Sequence, residues 1–243
     1  MKTDKQDICL IVRQIADILM INGGFSGNPG LYAGEMGLVL FFARYARYTH
    51  NDLYMDYCFD LTEKIQQSIH QDTPVNYREG LTGVGSTIEY LVQNGFFEAD
   101  TDEILEDVDK RIFYAFNLSY LPVDEIIDVW HYVHWRLSGN SAQKDMMRQT
   151  ILPQIEKAMF RHAVDPATLQ FNRKKIPDGF EEKKYGICRD LITKNVFWNQ
   201  ELGFQYGLAG WGLSLLTEID DDHSWFRLLP PNRKDAITCI SAN

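Results

Sequence analysis

The chain has 243 residues, enough for one sizeable hydrophobic core or at most two small ones, and acidic residues outnumber basic ones 34 to 24. The resulting net charge of −10, with Arg173-Lys174-Lys175 the only compact basic triplet, sets a field that repels polyphosphates, so nucleic acid is not an expected partner. Cys9, Cys58, Cys188 and Cys239 are far apart with no Cys-x-x-Cys, and the apolar stretch 8–21 is broken by Arg13, Gln14 and Asp17; reduced thiols, no membrane span and a cytoplasmic location are expected.

Helical periodicity dominates from the start. Over Asp4–Met20, Ile8, Ile11, Ile15, Ile18 and Leu19 share one face, and Thr3 or Asp4 is placed to cap it. Gly23-Gly24 ends this helix, and a loop through Ser26, Gly27, Asn28 and Pro29 follows. The next helix begins near Gly34 and is apolar nearly all round, with Leu38, Val39, Leu40, Phe41 and Phe42, which marks a buried helix. Asn51 then caps a more polar helix with Tyr54, Tyr57, Leu61, Ile65 and Ile69 as its inner stripe.

The pattern recurs. A glycine-rich loop at Gly80–Gly85 opens an apolar helix ending at Asn94-Gly95, and Thr101 or Asp102 caps a charged helix carrying Leu105, Val108, Ile112 and Phe116. Pro122 and Asp124 start a third buried helix through Trp135, closed by Gly139. Ser141 starts a polar helix with Met147, Ile151, Ile155 and Met159, which Pro153 should kink or interrupt. A polar loop over Asp165–Gly179, a weaker helix over Phe180–Lys194 and a last glycine-rich loop opening a helix near Gly210 complete the series; the tail after Asp220 is expected to be non-helical. No segment sustains period-two alternation, so strands are not expected. Buried and amphipathic helices thus alternate in units of roughly 50 residues, the pattern of stacked helical hairpins.

Three segments share a glycine motif: Gly80-Leu81-Thr82-Gly83-Val84-Gly85, Gly207-Leu208-Ala209-Gly210-Trp211-Gly212 and Gly30-Leu31-Tyr32-Ala33-Gly34-Glu35-Met36-Gly37, each ahead of an apolar run. Gly34, Gly37, Gly83, Gly85, Gly210 and Gly212 are the expected structural turns, since glycine permits positive φ and then close approach of a helix start to its neighbour. Such starts leave N–H groups free at the helix N-terminus. No Gly-Lys-Ser/Thr completes a phosphate loop, however, and no strand precedes any of the three.

These features resemble the lanthionine synthetase C family, a toroid of helical hairpins whose inner helices begin at Gly-Leu-x-Gly-x-x-Gly-type loops. The resemblance covers most of Leu31–Leu216, with the second and third loops one residue shorter than the common spacing. It implies an all-α fold of repeated helical hairpins in a single domain over residues 1–243, as an α/α toroid or, because the chain is short for a full ring, a partial one. Family cyclases hold catalytic zinc through two cysteines and a histidine in Gly-Trp-Cys-x-Gly and Cys-His-Gly contexts. Cys188 follows Tyr185-Gly186-Ile187 and Cys239 lies in the tail, so no zinc ligand carries over. The resemblance therefore implies a protein without metal or cofactor that binds, or helps process, a peptide or partner protein in natural-product or signalling-peptide maturation.

The residues themselves offer other chemistry. Asp124, Asp128, His131 and Trp135 share a face of the third buried helix, with His134 close by. Asp–His is a frequent acid/base pair and His-x-x-His a possible metal pair; a place in a polar cavity ranks ahead of a metal site, and satisfied core or rim histidines flanked by Trp130 and Trp135 are the alternative. Tyr32, Tyr206 and Trp211 flank the glycines, and Trp211 is expected in a cleft. Helical toroids also host glycoside hydrolysis by facing carboxylates, for which Glu35, Glu79, Asp128 and Glu201 lie near inner-helix starts. The expected cleft lining is thus Tyr32, Glu35, Glu79, Asp128, His131, Tyr206 and Trp211. Asp220-Asp221-Asp222-His223 reads as a solvated turn. A non-catalytic interaction scaffold is the third alternative.

Overall fold

The computed structural model describes residues 5–23, 27–118, 121–169, 202–205 and 207–229. In chain order these form α1 (Lys5–Asn22), α2 (Glu35–Thr49), α3 (Asp52–Ser68), α4 (Leu81–Gln93), α5 (Thr101–Ile104), α6 (Glu106–Leu118), α7 (Val123–Ser138) and α8 (Lys144–Met146). A π-helical turn (Met147–Ile151), α9 (Leu152–Arg161), a 3-10 turn (Pro166–Thr168), α10 (Leu208–Asp220) and a second 3-10 turn (Ser224–Leu228) follow. The fold is all-α, built of repeated helical hairpins, and no strand occurs among the described residues. No helix among them is long and apolar enough to cross a membrane.

The described residues of Met1–Gln71 and Lys174–Ser224 form one compact unit, and those of Asp72–Arg173 and Trp225–Asn243 a second. In the first unit α2 packs against α1, α3 and α10. Every residue of α2 from Glu35 to Ala46 is buried, whereas α3 buries only Cys58, Leu61 and Ile65. Tyr57 and Tyr54 of α3 close over Phe42 of α2, with ring centroids 4.9 Å and 6.0 Å away. The hairpin between α2 and α3 turns at His50, which takes the left-handed conformation at φ 52°. Asn51 then caps α3 as expected, its side chain accepting the Leu53 N–H at 3.1 Å.

In the second unit α7 lies between α4 and α9, and α4 also meets α5 and α6. Residues Leu81–Leu91 of α4 are continuously buried, while α9 buries only Ile155 and Met159, so the alternation of inner and outer helices holds here too. Pro153 stands in the first turn of α9 directly after the π-helical turn. A proline ring excludes the carbonyl four residues back, and the wider π register accommodates it.

Several expectations are corrected. The cap before α5 is Asp100, whose side chain accepts the Asp102 N–H, not Thr101 or Asp102. The chain after Asp220 is not without helix: Ser224–Leu228 is a 3-10 turn burying Trp225, Phe226 and Leu228. Gly37, Gly83, Gly85, Gly210 and Gly212 lie inside helices and are not turns. The N-cap glycines Gly34, Gly80 and Gly207 have φ of −121°, −134° and −108°, so positive φ plays no part in these starts. Space is what matters: a Cβ on Gly80 would collide with the Pro74 carbonyl, and one on Gly212 with the Phe41 ring. Asp4, the Phe180–Lys194 segment, Cys188, Glu201, Tyr206 and Cys239 lie outside the described residues.

Candidate functional site

The three inner-helix starts share one backbone device. The N–H of Glu35 donates to the Asn28 carbonyl at 2.8 Å, that of Leu81 to Pro74 at 2.9 Å, and that of Ala209 to Leu202 at 3.1 Å. A second bond of the same reach joins Thr82 N–H to Val75 at 3.2 Å. In each case the loop folds back so that the acceptor lies seven residues before the donor. The expectation of free N–H groups at these helix starts is therefore corrected in part: one or two of the first amides at each start are already engaged. The device also changes the alignment of the motif. Gly34-Glu35-Met36-Gly37, and not Gly30-Leu31, occupies the place of Gly80-Leu81-Thr82-Gly83.

In the first unit the expected lining residues hold structural positions. Glu35 is 1% exposed, pairs with Lys64 Nζ at 2.7 Å and accepts the Gly27 N–H. Tyr32 stacks on Phe204 with centroids 5.7 Å apart. Trp211, expected in a cleft, is instead a core side chain, 4% exposed. Asp220 and Asp222 both grip the buried guanidinium of Arg44, at 2.8 Å and 2.9 Å. Donors from Ser224 and the Arg44 charge outweigh burial and hold the Asp222 carboxyl below the usual range.

The second unit gathers the more reactive set on one face of α7. Asp128, His131 and Trp135 follow one another at helical spacing. The Asp128 carboxylate accepts the Tyr77 N–H at 2.8 Å. Burial pushes this carboxyl up to about 7; the Tyr77 N–H opposes the rise, and Glu125 and Asp124 reinforce it. His131 is fully buried, with its ring 5.2 Å from that of Tyr77. Its Nε2 lies 3.0 Å from the Arg227 carbonyl, and since a carbonyl only accepts, Nε2 carries a proton. Arg227 in turn lays its guanidinium 4.9 Å over the Trp135 ring. His134 points elsewhere: its Nδ1 donates to the Trp130 carbonyl, its ring lies against Trp130, and burial lowers its pKa. Glu79 is exposed, with its backbone N–H bonded to Asn76.

Behind this face lies a network that the sequence did not disclose. Arg136 is completely buried and reaches Glu89 at 2.5 Å, Asp102 at 2.6 Å and Asp109 at 2.9 Å. Tyr132 donates to the other oxygen of Asp109 at 2.6 Å, and Gln93 donates to Glu89 at 2.9 Å. Four helices (α4, α5, α6 and α7) are thereby tied through one guanidinium. Burial raises Asp109 despite Arg136, whereas donors from Ser141, Ala142 and Arg136 keep Asp102 low against its own burial. The available signal was a charge inside an apolar helix: Glu89 between Ile88 and Tyr90, Arg136 after Trp135.

Among the described residues no three His, Cys, Asp or Glu side chains converge as a metal site. Cys58 is buried, donates to the Val39 carbonyl, and has its thiol pushed far up by burial. No protein family, curated protein or solved structure matches the chain.

Proposed function

We propose that this chain is a lanthionine synthetase C-like protein that works without zinc, binding a peptide and assisting its maturation in the cytoplasm. The observation that carries the reading is the repeated inner-helix start: a glycine cap, a loop folded back by seven residues, and a buried helix, found at α2, α4 and α10. That architecture resembles the inner helices of the family. With amides of these helix starts engaged, recognition falls to side chains, and beside α7 the half-buried Asp128 carboxyl and the half-buried Arg227 guanidinium reach solvent, with His131 and Trp135 buried behind them. A thiol as deeply buried as Cys58 is a poor nucleophile, which suits a binding role. Calorimetric titration with synthetic peptides carrying cysteine and dehydrated serine or threonine tests the reading. Saturable binding, unchanged by zinc or chelator and without thioether product, is expected; zinc-dependent thioether formation, or no binding to any such peptide, overturns it.

One observation favours a second reading, a glycoside hydrolase with paired carboxylates. Asp128 holds its proton to about pH 7, as a general acid must. Turnover of aryl glycosides that disappears in Asp128→Asn would support it, and no turnover across a panel of such substrates would remove it.

A further inference from the structure

Arg227 is a firmly placed cation. Its neighbours Trp225, Phe226 and Leu228 are 0%, 2% and 0% exposed, and its carbonyl is held by His131, so the backbone beneath it is fixed. Its guanidinium is held flat against Trp135. Yet among the described residues it makes no ion pair, and its Nε is buried with no hydrogen-bond acceptor. The other deeply held arginines differ: Arg44 faces two carboxylates and Arg136 three. In a chain with 34 acidic residues the lack of a partner at Arg227 needs a reason. A buried donor left unsatisfied is unfavourable, and a cation–π contact does not replace the missing hydrogen bond. The side chain is partly exposed, so an oxyanion can approach it from solvent.

We infer that Arg227, backed by Trp135 and anchored by His131, is the receptor for a carboxylate of a bound peptide. Two parallel N–H donors of a guanidinium match the two oxygens of a carboxylate, and a rigid aromatic backing keeps the fork in place between binding events. The net charge of −10 selects against polyanions and leaves a single carboxylate as the tolerated partner. The inference rests on the peptide-binding reading, and small probes test it separately from that reading.

The Arg227 Nε–H resonance is followed in the full chain while four probes are titrated: N-acetylglycine, N-acetylaspartate α-amide, N-acetylglycinamide and inorganic phosphate. A saturable shift with one of the two carboxylate probes, at least about tenfold weaker with the neutral amide and with phosphate, is expected. Which carboxylate responds distinguishes a peptide terminus from an acidic side chain. Arg227→Lys keeps the charge but loses the fork, and should abolish saturation while leaving the thermal midpoint within a degree or so. No saturable shift with either carboxylate, or an equal one with phosphate or the amide, overturns the inference. A response to the small carboxylates without binding of longer peptides retains the site and removes the peptide-binding reading.

Discussion

Asp128 changes charge in the physiological range, and the sign of its effect on stability follows from the direction of its shift. Its folded-state value of about 7 lies above the ordinary 3.8, so folding favours the protonated form. Its stabilising contribution is complete below the unfolded value and is lost as pH rises through about 7. Thermal melts from about pH 4 to about pH 8 should therefore show the wild type losing on the order of 2 kcal/mol relative to Asp128→Asn, with Asn flattening the slope. A parallel pair of curves would refute the assignment. Arg136 makes a sharper case. Replacing it with methionine leaves Glu89 and Asp109 buried without their counter-charge, and a loss of about 3–5 kcal/mol in urea denaturation is expected. Asp128 was singled out by its spacing from His131, but the Arg136 network was not readable from composition, because a Glu or Arg on a helix is ordinarily solvated. Only its place inside an apolar run distinguishes the buried one.

At the scale of elements, the sequence disclosed which helices are inner and which are outer. All-round apolar runs became α2, α4 and α10, and single stripes became α1, α3 and α9, because burial on all sides and on one side leave different periodicities. The start of α2 near Gly34 was read correctly, whereas α4 and α10 begin at Leu81 and Leu208, inside what read as glycine loops. Glycine suggests positive φ, but Gly34, Gly80 and Gly207 are extended, and what their loops require at Gly34 and Gly80 is the absence of a side chain. Gly80→Ala should cost about 2 kcal/mol or more, since backbone must move, and Gly212→Ala about 1–3 kcal/mol against the Phe41 ring. Asn51→Ala, losing only a cap, should cost about 1 kcal/mol. Chemical denaturation of the three variants checks this order; equal losses would show that the glycine contacts relax freely.

At the scale of the whole molecule, repeated hairpins were legible and the polar connections within each unit were not. Alternating hydrophobicity is a one-dimensional signal, whereas the partners of Arg44 lie 176 and more residues away along the chain. The buried turn at Trp225–Leu228 was hidden for a similar reason: an acidic run before it and two prolines after it give the segment the composition of a tail. The loops folding back to engage amides of the inner-helix starts set the repeat of glycine cap and buried helix. Amide hydrogen exchange tests this directly. First-turn amides of a helix normally exchange fast for want of an acceptor. Here Glu35, Leu81, Thr82 and Ala209 should exchange as slowly as the middle of their own helices. Fast exchange at all four, with the helix interiors protected, would contradict these fold-back bonds.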